Sequence, residues 1–262
     1  MRKADKIKLS MIVGVSLLAF IVGCVDTAVQ PLPTSIDYRS QVSVVNLAAG
    51  AGTATVGFYA SVLDHDSLAV NILSAKYDFS KAVFSGSADF GFATPTSTYQ
   101  DIPAGGKAII VSYTSAVTDT FIVSTETDYK MRFYIINDAT GRKLIKVAER
   151  YIWQTPGSTE GSTLFPSGSG WLKVFNGSPD AGTVSVKIEE AATDTTYQAA
   201  FNVDSAKTSL YSEFSSSNSY NIIVTAGTTV DTVAFAPGSQ KRYTAIVYDA
   251  AASLKVKVLT DD

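Results

Sequence analysis

The sequence predicts an all-β fold: two tandem antiparallel β-sandwiches, immunoglobulin-like, placed behind an export signal. Three observations predict it. β-Branched and aromatic runs recur, among them "AIIVSYTS", "MRFYIIND" and "YNIIVTAG", each bounded by turn residues. Val184, Val186 and Ile188 alternate with Ser185, Lys187 and Glu189, and Leu254, Val256 and Val258 with Ser253, Lys255 and Lys257. That period of two is the mark of a half-buried strand. After the first 23 residues no stretch keeps helical periodicity beyond a few turns.

The elements follow in chain order. Arg2, Lys3, Lys6 and Lys8 form a basic head, and Ile12 to Val22 is apolar but too short for a membrane-spanning helix. Ile21-Val22-Gly23-Cys24 resembles a bacterial lipobox. In that family of signals the Cys thiol is acylated and the chain is cut before it. Residues 1–23 are therefore expected to be a lipoprotein signal peptide and Cys24 the lipidated residue. Two or three acyl chains anchor a protein stably where one does not. "VDTAVQPLPTSIDY", with two prolines, reads as a tether, so that 24–38 links lipid to fold. The expected location is the bacterial cell envelope, on the outer membrane, facing periplasm or cell surface.

Composition excludes several functions. Cys24 is the only cysteine, so there is no disulfide framework, thiol nucleophile or Cys-ligated metal. The signal carries four of the 21 basic residues and one of the 24 acidic ones, which leaves 17 against 23 and a net charge of −6. A mildly acidic chain with no basic cluster is a poor ligand for nucleic acid. Its membrane partnership must come through the N-terminal lipid, not a cationic face.

A Gly/Ser/Thr/Pro-rich stretch, "TPGSTEGSTLFPSGSG", divides the rest. The first sandwich is expected over 39–155, a linker over 156–169 and the second sandwich over 170–262. The two halves repeat one another. "VSVVNLAAGAGTATVGF" lies 130 positions before "LKVFNGSPDAGTVSVKI" in register, sharing Asn46/Asn176, Gly52/Gly182 and Thr53/Thr183. "YQDIPAGGKAIIVSYTSAVTDTF" (Tyr99 to Phe121) matches "YSEFSSSNSYNIIVTAGTTVDTV" (Tyr211 to Val233), and "RFYIIND" from Arg132 matches "YTAIVYD" from Tyr243. The shrinking offset implies about 18 extra residues in the first half, placed within Ser61 to Ala93.

The second-half motif resembles the opening of the bacterial family known as domain of unknown function 4397. Its members begin with an apolar strand, Asn or His, a small residue, Ser-Pro-Asp-Ala and alternating valines. A later family element, Tyr-x-Pro-Ala-Gly before an apolar strand, resembles "YQDIPAGGKAIIV" in the first half. The halves depart from the pattern in complementary places: Ala48-Ala49-Gly50 stands for Ser-Pro-Asp in the first, and Ser215-Ser216-Ser217 for Pro-Ala-Gly in the second. The resemblance implies a β-sandwich on an exported, often lipid-anchored protein, and no known activity.

Candidate sites are few. Asn176 and Asp180 could offer oxygen to a cation or a sugar. The turn reading is stronger: Pro179 presets φ, Ser178 caps, and Asp180 folds onto nearby amides. Trp153 and Trp171 flank the linker, either as an aromatic sugar platform or as a seal between domains. Asp64-His65-Asp66 holds the sole histidine, but adjacent side chains on a strand point to opposite faces, so no metal site is expected. With no nucleophile elbow, no thiol and one histidine, no catalytic residue and no cofactor is expected. The expected role is a non-catalytic binding or scaffolding module with an envelope protein or glycan as partner. The alternative is a structural subunit of a surface fibre or adhesin, assembled by strand addition.

Overall fold

Runs that are apolar without alternation need two buried faces, whereas alternating runs need one. Both kinds occur here, and they sort the strands into inner and outer sheets. The computed structural model describes residues 39–62, 76–95, 99–127, 129–138, 140–150 and 167–261. The export signal, Cys24, the tether, Asp64-His65-Asp66, Trp153 and most of the linker lie outside the described residues.

The fold is all-β. The first half contains β1 (Arg39–Leu47), β2 (Ala54–Val62), β3 (Lys76–Tyr77), β4 (Phe84–Ala88), β5 (Phe92–Thr94), β6 (Gln100–Pro103), β7 (Gly105–Tyr113), β8 (Thr118–Thr125), β9 (Tyr129–Asp138) and β10 (Gly141–Arg150). The second contains β11 (Ser169–Asn176), β12 (Val184–Glu190), β13 (Thr195–Val203), β14 (Ser212–Ser215), β15 (Tyr220–Ala226), β16 (Thr229–Phe235), β17 (Arg242–Tyr248) and β18 (Lys255–Thr260), with a 3₁₀ turn at Ala251–Ser253.

Each half stacks an inner sheet on an outer one. The first-half inner sheet runs β10-β9-β1, with β5 and β6 both on the far side of β1; its outer sheet runs β3-β2-β7-β8, with β4 also on β2. In the second half the inner sheet is β14-β11-β17-β18 and the outer sheet β13-β12-β15-β16. The expectation of wholly antiparallel sheets needs one correction. β1 pairs parallel with β9, and β11 parallel with β17. The first strand thus slots beside the last hairpin rather than against its sequence neighbour.

Three apolar clusters separate the layers. One lies between the first-half sheets, around Val44, Val56, Phe58, Ile109 and Phe133. Another lies between the second-half sheets, around Val174, Val186, Ile222, Phe214 and Val247. The third joins the two inner sheets: Val45, Leu47, Tyr134 and Ile136 meet Phe175, Ile246 and Leu259. So β1 and β9 send alternate residues into two different cores, which explains "VSVVNL" and "FYII". The outer strands β12 and β15 are buried on one face only, as their alternation predicts.

The registers make the duplication exact residue by residue. Ala54 and Val184 open β2 and β12, 130 apart; Ala88 and Val203 pair with them, 115 apart; Pro103 and Ser215 pair with Arg39 and Ser169, 112 apart. Most of the extra residues therefore lie between β2 and β4, inside the segment expected. The last motif corrects the sequence alignment by one place. Arg132 pairs with Ser43, and Thr244 with Lys173, so Arg132 corresponds to Thr244 and not to Tyr243. On a strand that single step exchanges the two faces.

Candidate functional site

Asn46 and Asn176 make the same three hydrogen bonds. Asn176 Nδ2 donates to Gly182 O (2.9 Å) and Val203 O (3.0 Å), and its Oδ1 accepts from Ser178 N (3.2 Å). Asn46 Nδ2 donates to Gly52 O (2.9 Å) and Ala88 O (3.1 Å), and its Oδ1 accepts from Ala48 N (3.2 Å). Both side chains are fully buried. Gly52 and Gly182 hold φ of 76° and 62°, a turn a side chain would strain. Thr53 Oγ1 donates to Asp89 Oδ1 (2.7 Å), and its counterpart Thr183 to Asp204 Oδ1 (2.6 Å). The shared motif is a clasp between the end of the first strand and two loops.

Asp180 belongs to the second half alone, and its partner is not local. Its exposed carboxylate accepts from Ala251 N (2.7 Å), in the loop joining β17 to β18. Ser178 Oγ secures the same loop by donating to Asp249 O (2.7 Å). In the first half β9 turns into β10 with Asp138 paired directly to Gly141, so there is no wide loop to hold. This accounts for Ala48-Ala49-Gly50. Asp180→Ala is expected to cost about 0.5–2 kcal/mol, as for a lost side-chain-to-backbone cap. Urea unfolding measures it, and a loss above about 3 kcal/mol would mean that a different interaction was removed.

Trp171 is half-buried on β11, where Leu172 and Val174 face the second-half core. By strand alternation it shares the opposite face with Lys173 and Phe175, which turn to the first half. There the two inner sheets enclose a polar cluster that the sequence motifs did not mark. Arg132 forms an ion pair with Asp261 Oδ1 and donates from Nη2 to Thr260 O (2.9 Å). Lys130 Nζ donates to Asp261 O (3.1 Å), and Thr244 Oγ1 to Asp261 Oδ2 (2.7 Å). On the other side Lys173 forms an ion pair with Glu149, and Arg242 Nη1 lies 3.5 Å from Glu149 Oε2. The Tyr211 hydroxyl stands 2.9 Å from both Glu149 oxygens and 3.0 Å from Asp261 Oδ2. Burial and the Asp261 charge push the Tyr211 phenol up, so it stays a donor, to one carboxylate at a time. Burial likewise raises the Tyr99 phenol, and the neutral ring receives Arg132 at 4.9 Å.

Two other features carry polar groups away from this cluster. Lys107 is buried, donates to Ala104 O and Gly106 O (3.3 Å each), and has its pKa lowered by burial to about 8. Its register counterpart, Tyr220, reaches Ser215 at the equivalent turn, so the position fastens β6 to β7 and β14 to β15. A shallow hollow of about 220 Å³ is lined by Thr53, Ser87, Asp89 and Phe92, with the Asp89 carboxylate held by Thr53. Among the described residues there is no group of three His, Asp or Glu side chains able to hold a metal ion.

The stretch Ser61 to Ala93, expected to hold the extra residues, divides in two. Phe84 packs on Phe58 (5.7 Å between ring centres), Phe90 packs edge-on against Tyr248 (5.4 Å), and Phe92 lies beneath Lys257. Phe79 instead lies between Tyr59 and Tyr77 in an aromatic patch, 5.4 Å from the first ring and 6.2 Å from the second, and is 54% exposed.

Fold and geometry define an all-β protein of two related halves, each with an inner and an outer sheet. Its sequence matches no family model and no curated protein. Solved structures to which it is similar include a candidate cell adhesion protein of Bacteroides fragilis, at 10% identity and a TM-score of 0.23, covering 80% of this chain and 84% of that one. They also include a leucine-rich repeat protein of Bacteroides thetaiotaomicron, at 10% identity and a TM-score of 0.19, covering 82% of this chain and 26% of that one.

Proposed function

We propose that this protein is a lipid-anchored, non-catalytic binding module of the cell envelope, built from two repeats of the domain of unknown function 4397 type. The observation that carries the binding role is the Tyr59–Phe79–Tyr77 patch. Two of its rings, Tyr77 and Phe79, belong to the segment that the second half lacks, and the shared core does not need them. An exposed Phe79 ring backed by the half-buried Tyr59 and Tyr77 suits a glycan or an extended protein segment, since such rings bury large area at low entropy cost. The lipobox Cys24 supplies the anchor.

A deletion of Ser61 to Ala93 would remove β4 and β5, so the informative variant is Tyr77→Ser with Phe79→Ser. It is expected to stay folded and exported yet lose the partner in pull-downs from envelope extracts. Cys24→Ala is expected to abolish acyl labelling and leave uncleaved precursor. Partner retention by the double variant would refute the patch, and normal processing of Cys24→Ala would refute the anchor.

A further inference from the structure

The contacts between the two inner sheets obey a symmetry. In a two-fold pairing, whenever residue i touches j across the interface, the counterpart of j touches the counterpart of i, and a residue near the axis meets its own counterpart. Glu149 pairs with Lys130 on the β9–β10 hairpin, and Asp261 N bonds to Arg242 O beyond the end of β18; Lys130 and Arg242 are counterparts, and so are Glu149 and Asp261. Across the interface Arg242 lies against Glu149, and Lys130 donates to the Asp261 backbone carbonyl. Those are one contact seen from each side. A β-carbon on Gly177 would collide with Leu47, its own counterpart, which places the pseudo-axis there and explains the glycine. Tyr134 stacks on Phe175 at 3.8 Å, and their counterparts, Ile246 and Val45, share the same cluster.

We infer that the two halves form a homodimer-like pair joined into one chain, and that the inner sheet of each half is a docking surface for the complementary half, so that the first half of one copy can take up the second half of another. The axis contacts favour unlike halves. Gly177 leaves room for Leu47, whereas two first halves would set Leu47 on Leu47, and only a first half with a second brings Tyr134 onto Phe175. The charges fit the same pairing, with Arg132 against Asp261 and Lys173 and Arg242 against Glu149. This surface is separate from the aromatic patch on the outer sheet, so it does not rest on the proposed binding role.

The test uses the full chain with a protease site inserted between Arg150 and Ser169. After cleavage the fragments are expected to remain one particle of the intact mass by size exclusion and native mass spectrometry at micromolar concentration. Tagged and untagged cleaved proteins, mixed in denaturant and refolded, are expected to give tagged–untagged hybrids, each holding one first and one second half. Fragments that part on cleavage overturn the inference, as does refolding that yields no pairs or forms like pairs of halves as readily as first-with-second ones. In the same cleavable chain E149K is expected to release the halves on cutting, with β-sheet circular dichroism retained. If the cut E149K chain stays together as firmly as the parent, the polar contacts do not govern docking and the inference fails.

Discussion

Asp261→Ala is expected to lower folding stability by about 3–5 kcal/mol, the cost of removing one member of a buried ion pair. The Asp261 side chain is 1% exposed and Arg132 5%, so the guanidinium cannot turn to water when its carboxylate is lost. Thr244 Oγ1 would lose its acceptor at the same time. An unpaired buried cation costs far more than the net worth of the pair, because pairing largely repays desolvation. The companion variant, Arg132→Met with Asp261→Leu, is therefore expected to recover most of the stability. Urea unfolding of the three proteins measures this. A loss below about 1 kcal/mol for Asp261→Ala would show that water reaches Arg132 and that the cluster is effectively a surface feature.

That cluster also marks the limit of what was legible in the sequence. Alternation identified β12 and β18, and the Asn-Gly-Ser-Pro-Asp motif located a turn, because each signal is local. Burial of an inner strand on both faces depends on what covers its second face, and no local pattern names the cover. Two signals were nonetheless present. "KMRFYIIND" carries Lys130 and Arg132 inside an otherwise apolar run, and a cation there demands a buried acceptor. Glu149 and Asp261 stand 112 residues apart, the spacing of the flanking strands. The one-place slip at Arg132 hid that equivalence, since it matched an interface position with Tyr243, which packs against the second-half core. Asp180 failed differently: its backbone partner lies 71 residues away, beyond any turn rule.

Asn176 offers the sharpest separation between a fold residue and a ligand. Asn176→Ala removes the side-chain partner of the buried Val203 carbonyl, the buried Ser178 amide and the part-exposed Gly182 carbonyl, and is expected to cost about 2–4 kcal/mol. Asn46→Ala should cost about the same, because its three hydrogen bonds are the same. Asn176→Asp is the informative change. It keeps the shape and the Oδ1 acceptor but replaces two N–H donors with an oxygen facing Gly182 O and Val203 O. Lone pairs would then oppose lone pairs, with the Asp side chain itself buried, so Asp should be at least as damaging as Ala. A cation-binding asparagine behaves the opposite way: a carboxylate binds calcium more strongly and would be stabilised by it. Thermal unfolding of the two variants, with and without millimolar calcium, distinguishes them. If Asn176→Asp is nearly neutral in stability or gains stability from calcium, the clasp is a ligand site. If it falls with or below Asn176→Ala and ignores calcium, the motif repeated in both halves is there to tie the first strand to its loops.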